Sequence, residues 1–452
     1  MAKNPNAKIA QQTLEAFNKA LNSGTFVEVR RMLRAMRPAE VAHLIESSPP
    51  RARNILWKLI NKDEEGDILQ YLNDEIAVDF LRHRDTQDIL DTVEDFDIDD
   101  VADLLQELPR TVTKRVLEAM DDQNRQRIEA VLSYDEDTAG GLMNPDSITV
   151  RPDITLDVVL RYIRLHDELP DMTDSILVVS RRDKFIGVIP LTKLIISDPS
   201  MSVRDAMLTD VTAIPAETSA KDVAKLFEQQ DLVSAPVVDS DGRLLGRITI
   251  DDVVDVIREE ADHSLMSMAG LDEDEDTFAP VFKTTKRRSV WLGINLLTAL
   301  LASGVIGLFQ DTLDKVVALA VLMPIVASMG GIAGNQTLTI VIRGMALGHV
   351  GSSNSRWLFS REIAVGALNG VLWSCVIGAV ASFWFNDYSL GIIIAAAMVI
   401  NLLIAAMAGA SLPMLLEKLG IDPALSGGVV LTTITDVVGF FAFLGLATAF
   451  YG

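Results

Sequence analysis

Asp436 is the residue of this sequence whose chemistry is hardest to account for as structure. It lies in an apolar stretch near 424–450 that holds no Lys or Arg, with Thr432 and Thr433 four and three residues before it. In a helix those spacings place two hydroxyls on the carboxylate's own face, one turn away. A carboxylate at membrane depth costs at least a few kcal/mol, so it faces a wet cavity, a partner charge or a cation. Oxygen-only surroundings suit hard cations, and Mg2+, which sheds its water reluctantly, is well served by a carboxylate and hydroxyls around its hydration shell. Na+, H+ or Ca2+ would fit the same local pattern. Asn295, Asn335, Gln336, Asn369 and Asn401 also fall in apolar stretches, where bonds between neighbouring helices account for most such side chains.

Acidic residues cluster a second time, in polar sequence. Asp99 and Asp103 stand at i and i+4 in DIDDVADLL, either as first-turn residues favoured by the helix dipole or as metal ligands. A helix from Thr249 would carry Asp251, Asp252, Asp255, Glu259 and Glu260, like charges that need solvent or bridging cations. The formal net charge of −23 lies mostly in the front part, which excludes nucleic acid as a partner, since phosphate binding needs clustered Lys and Arg. Five scattered histidines, His43, His83, His166, His263 and His349, with no nucleophile–base arrangement or P-loop, argue against an enzyme. The one cysteine, Cys375, rules out internal disulfides and reads as a buried thiol.

The elements that must position these residues follow from composition, which changes abruptly within the 452 residues near Arg288. Beyond it, five segments near 289–309, 315–346, 362–386, 389–416 and 424–450 are long and apolar enough to span a bilayer. The second contains MGGIAGNQ at 329–336 and is expected to be bent or broken around a cavity. Lys283, Lys286, Arg287 and Arg288 before the first span, with Arg343, Arg356 and Arg361 after the second, place the N terminus in the cytosol and the C terminus opposite. The start, MAKNPNAKIAQQT, has no apolar core of signal-peptide length, in keeping with a cytosolic front.

Residues 25–132 read as short helical units of a superhelix. A duplication follows: MNPDSITVRPDITLDVV at 143–159 parallels MLTDVTAIPAETSAKDVA at 207–224, and ILVVSRRDKFIGVI at 176–189 parallels APVVDSDGRLLGRIT at 235–249. Each copy reads strand, helix, strand, turn, strand, helix, and the pair resembles tandem CBS domains. That resemblance implies a nucleotide site at Gly246, Thr249 and Asp252, with ATP as a ligand, in the second copy only, because Pro190 and Lys193 occupy the matching places of the first.

A helical front, the junction SYDEDTAGGLMNPD, two CBS-like repeats, a connecting segment and five spans together resemble the MgtE family of magnesium channels over nearly the whole chain. MPIVASMGGIAGNQTLTIVIRG at 323–344 and GIDPALSGGVVLTTITDVVG at 420–439 resemble its pore-lining sequences. The resemblance implies a helical N-domain over 1–137, CBS domains over 138–200 and 201–261, a connecting plug helix and linker over 262–288, and a five-helix membrane domain over 289–452. It implies Asp436 as the pore carboxylate, paired with its copy in a homodimer, with Asn335 beside it and Asp422 in metal binding near the cytosolic mouth. It further implies cytosolic Mg2+ sensing by Asp99, Asp103, Asp231, Asp252, Asp255 and Glu260, so that Mg2+ bound there closes the pore of a bacterial inner-membrane importer. Three positions depart from the family pattern: His263 where an acid is usual, Ile332 where a polar residue is common, and Gly428 in place of a commoner Asn. A broader carrier of Co2+, Ni2+ or Mn2+, or a transporter regulated chiefly by nucleotide, is the alternative.

Overall fold

A computed structural model describes residues 26–451 except 83, 95, 167, 168, 171, 272–274 and 352, so His83, the N-terminal start and Asp272, Glu273 and Asp274 of the linker lie outside the described residues. The chain divides into two units, one of residues 1–261 with 274–280, the other of 262–273 with 281–452.

The first unit opens with a run of short helices: α1 (Phe26–Leu33), α2 (Pro38–Glu46), α3 (Pro50–Trp57), α4 (Glu65–Leu69), α5 (Asp74–Leu81), α6 (Thr86–Val93), α7 (Ile98–Glu107), α8 (Arg110–Ala119) and α9 (Asp122–Val131). Their starts are written locally. Pro38 and Pro50 occupy first-turn positions where no N–H is needed. Asn73 accepts from the Glu75 N–H, and Asp121 accepts from those of Gln123 and Asn124. In α7 the buried apolar residues Ile98, Val101, Ala102 and Leu105 form one stripe and leave the acids for the other faces.

Two small sheets follow. The first repeat contains β1 (Thr149–Val150), α10 (Leu156–Ile163), β2 (Ser175–Val179), β3 (Phe185–Pro190), α11 (Leu191–Ile196) and α12 (Val203–Ala206). The second contains β4 (Ile214–Pro215), α13 (Ala220–Gln230), β5 (Ser234–Val238), β6 (Leu244–Thr249) and α14 (Ile250–Met268). In each sheet the first strand lies parallel to the second and the second antiparallel to the third. The register slips at the same place in both copies, between Val178 and Val179 and between Val237 and Val238. The copies are also interlocked: Asn144, entering the first, exchanges both backbone hydrogen bonds with Arg247 of the second, and Leu208, entering the second, does the same with Val188 of the first. That crossing explains the paired glycines, since a Cβ on Gly187 would fall 2.2 Å from the Leu208 carbonyl oxygen and one on Gly246 would fall 2.5 Å from that of Asn144. Gly246 therefore has a packing reason independent of any nucleotide. One apolar core runs from Val29 in α1 to Val256 in α14, while the first repeat keeps its own core around Leu156, Ile176 and Val203.

The segment ahead of the first membrane helix is tied into this unit by a buried ion pair. The Arg53 guanidinium reaches the two carboxylate oxygens of Asp276 at 2.6 and 2.7 Å, and both side chains are under a tenth exposed. Arg53 also donates to the carbonyls of Ile45 and Glu46 and lies over the Phe278 ring. Arg53→Ala removes the buried counter-charge of Asp276 and should cost about 3–5 kcal/mol, whereas an Arg53→Met, Asp276→Leu pair should come close to native stability. Urea unfolding of the three proteins reads the difference.

The second unit holds α15 (Val281–Gly307), α16 (Gln310–Lys315), α17 (Ala318–Ala346), α18 (Ser355–Phe385), α19 (Tyr388–Lys418) and α20 (Pro423–Tyr451). All but α16 are long and apolar enough to cross a membrane. Two of these helices differ from expectation in extent or continuity. The first of these helices begins at Val281 rather than near 289, because Lys283, Lys286, Arg287 and Arg288 are good helix formers and continue it outward. The second runs unbroken from 318 to 346 through MGGIAGNQ, with Pro324 inside it. Its glycines serve contact: a Cβ on Gly334 would meet Leu431 of α20 at 3.0 Å, and one on Gly409 of α19 would meet the Gly334 carbonyl oxygen at 2.7 Å. Small residues of α18 recur every four positions, Gly366, Gly370, Ser374 and Gly378, and are buried. A Cβ on Gly366 would strike Ala406 of α19. Cys375 lies off that stripe and is exposed, not buried as expected. α19 is the most enclosed of the long helices and the scaffold for the rest.

Candidate ion path and acidic face

α20 positions the membrane candidates. Its buried side, Gly427, Leu431, Thr435, Gly439 and Phe443, faces the bundle, which leaves Thr432 exposed and Asp436 half-buried on an adjoining face. Thr432 and Thr433 donate their hydroxyl protons to the carbonyls of Gly428 and Val429 at 2.8 and 2.7 Å, so their remaining lone pairs are acceptors for water. Thr433 is half-buried and turned partly from that face. Asn335 of α17 is exposed, and its Oδ1 lies 4.0 Å from where a Gly428 Cβ would stand. The structure thus brings Asn335 beside Gly428, one turn from Thr432 and two turns from Asp436. Asp422 sits at the start of α20, where it accepts from the N–H groups of Ala424 and Leu425 and meets His263 Nε2 at 3.2 Å. Its resemblance-implied metal role thus shares the residue with a helix cap.

In the first unit, α7 and α14 set their acids against each other. Asp99 is buried and one of its carboxylate oxygens has no hydrogen-bond partner among the described residues. Burial, followed by the charges of Asp252, Asp100 and Asp97, pushes its carboxyl well above the usual carboxylate range. Burial and then Asp251 push Asp252 up to about 7, although the Thr249 N–H and hydroxyl both donate to it. Asp103 is pushed up to about 8 by the protein around it and by Asp100, Asp252, Asp74 and Glu136. Its outer surface stays open to water, which screens part of that repulsion. Asp100, which sequence reasoning passed over, belongs to the same group: burial, Asp97 and Asp251 push it up to about 6 while Gln70 donates to it at 3.0 Å. The consecutive acids of DIDD were the available signal.

The other expected ligands are more dispersed. Asp255 pairs with Arg258 at 3.2 Å and Glu260 with Lys221 at 2.7 Å, while Glu259 is exposed. Asp231 is exposed and closes α13 with φ of 51°. Thr249 and Asp252, two of the residues implied for nucleotide, are engaged with each other.

Several segments of the chain match known families. Residues 323–446 match the MgtE family, described as a divalent cation transporter, residues 36–137 match the MgtE intracellular N domain, and residues 139–197 and 203–259 each match the CBS domain. The chain is 30% identical over 438 residues to the magnesium transporter MgtE of Thermus thermophilus, covering 96% of this chain and 97% of the relative. It is 27% identical over 430 residues to the magnesium transporter MgtE of Bacillus subtilis, covering 95% of each. A solved structure of the cytosolic domain of the Mg2+ channel MgtE in complex with ATP is 30% identical, covering 54% of this chain and 99% of that chain at a TM-score of 0.49.

Proposed function

Because the chain belongs to the MgtE family of magnesium transporters, we propose that it passes Mg2+ across the membrane along the polar face of α20, and that Mg2+ held between α7 and α14 closes that path. The observation that carries the reading is the exposure of Asn335 and Thr432 beside a half-buried Asp436 on helices of membrane length. Polar groups there need water, an ion or a second copy of the chain to cover them. A homodimer meeting on this face would set two Asp436 carboxylates around one divalent ion, with Asn335 and the threonines on its water shell. Oxygen ligands alone favour Mg2+ over softer ions, and Co2+, Ni2+ and Mn2+ are the competitors to test.

Regulation follows from the acidic face. With little Mg2+ in the cytosol, Asp99, Asp100, Asp103 and Asp252 repel, and α7 and α14 are held together less firmly. Bound Mg2+ replaces repulsion by bridging and shifts the population toward the closed state. The N terminus and both acidic helices lie in the bacterial cytosol in this reading, and the C terminus lies outside the inner membrane.

Proteoliposomes loaded with a magnesium dye test it. Flux should appear when the cytosolic face sees little Mg2+ and fall when that face sees millimolar Mg2+. Absence of flux for every divalent cation tried, with protein correctly inserted, would reject the proposal.

A further inference from the structure

Asn401, in the middle of α19, is fully buried, and its Nδ2 donates to the Val326 carbonyl of α17 at 2.8 Å. Its Oδ1 accepts no hydrogen bond among the described residues. The amide is wedged between two glycines of other helices: a Cβ on Gly330 of α17 would fall 2.3 Å from Nδ2, and one on Gly439 of α20 would fall 2.8 Å from it. Neither glycine can gain a methyl group without moving the amide, so the three helices are keyed at one point. Gly439 lies three residues beyond Asp436, on the next turn of α20, and Gly330 lies five residues before Asn335 on α17.

A buried acceptor without a partner is a standing cost that an aliphatic side chain of similar volume would avoid. Burial alone therefore does not explain this amide, whereas its hydrogen bond and its fit against both glycines do constrain two helices at once. We propose that Asn401 is a positioning residue for conduction: from the enclosed helix α19 it fixes the separation between the turn of α17 that leads to Asn335 and the turn of α20 that follows Asp436. This inference rests on the reading of that α20 face as the ion path, and misplacement of such a pair by even an ångström is enough to lower a rate steeply.

Two readouts test it in the full-length protein. In a Cys375→Ser background carrying Asn335→Cys and Gly428→Cys, the rate of disulfide formation in native membranes reports the spacing of α17 and α20. Adding Asn401→Leu should change that rate about tenfold, and Asn401→Leu in the otherwise native chain should lower Mg2+ flux about tenfold with the thermal midpoint nearly unmoved. An unchanged disulfide rate with native flux, or flux lost only in step with the folded fraction, would overturn the proposal. Asp436→Asn measured alongside separates the two ideas: if it conducts like the native protein the ion path is wrong, while the disulfide rates still judge whether Asn401 sets the spacing.

Discussion

Asp436→Asn should reduce Mg2+ flux by about a hundredfold or more while the protein remains folded and inserted. Asparagine keeps the size and one oxygen of the aspartate, so the half-buried place on α20 is filled as before. What it loses is the charge that offsets dehydration of a divalent ion, and in a low-dielectric setting that contribution is worth several kcal/mol, ample for a hundredfold. Thr432→Val should cost less, about tenfold, because the hydroxyl already donates its proton to Gly428 and contributes only acceptor lone pairs to the path. Dye-reported uptake into proteoliposomes, normalised to inserted protein, gives both numbers. Native flux in Asp436→Asn would mean that the carboxylate is not on the path.

The acidic face predicts an unusual pH response. Carboxyls that titrate near 3.9 in an unfolded chain are pushed up in the folded one, to about 6 at Asp100, about 7 at Asp252 and about 8 at Asp103, where solvent at its exposed surface offsets part of the shift. Between about pH 4 and pH 8 the folded state thus holds more protons than the unfolded state, so stability is greatest at the acid end of this window and falls as pH rises. In the proposed regulation, Mg2+ takes the place of the lost protons. In EDTA the transition of the first unit in the full-length protein should soften steadily from pH 5 to pH 8, and saturating Mg2+ at pH 8 should raise its midpoint by about 5–10 °C. At pH 5 the same Mg2+ should do much less, since the carboxyls of the cluster are protonated. An Asp99→Asn, Asp252→Asn variant should flatten both trends. Calorimetry that finds a midpoint rising with pH in EDTA would contradict the cluster.

Much of this arrangement is legible in residue order, for identifiable reasons. The apolar lengths after Arg288 and the two matched repeats are local patterns, and local patterns survive folding. Asp436 stands out because nothing near it in sequence could neutralise it. What escapes is decided by partners distant in sequence. Gly330 and Gly334 look like places for a helix to break until Asn401 and Leu431 are seen against them. Gly246 reads as a nucleotide glycine until the Asn144 carbonyl is found where a side chain would be. The contact of His263 with Asp422 joins residues 159 apart, and no periodicity announces it. Asp100 was hidden differently, inside a run of acids where only packing distinguishes a solvated charge from a crowded one.

The Arg53–Asp276 pair bears on where this chain can be cut. Sequence alone invites a soluble fragment ending at Ala261, where the second repeat closes. Such a fragment would retain Arg53 in its pocket beside Ile45 and Glu46 while discarding the carboxylate that neutralises it. It would also strip Phe278 from the guanidinium's face. A boundary after Pro280 keeps the pair whole, so the first unit ends with residues 274–280 rather than at Ala261, immediately before the helix that begins at Val281.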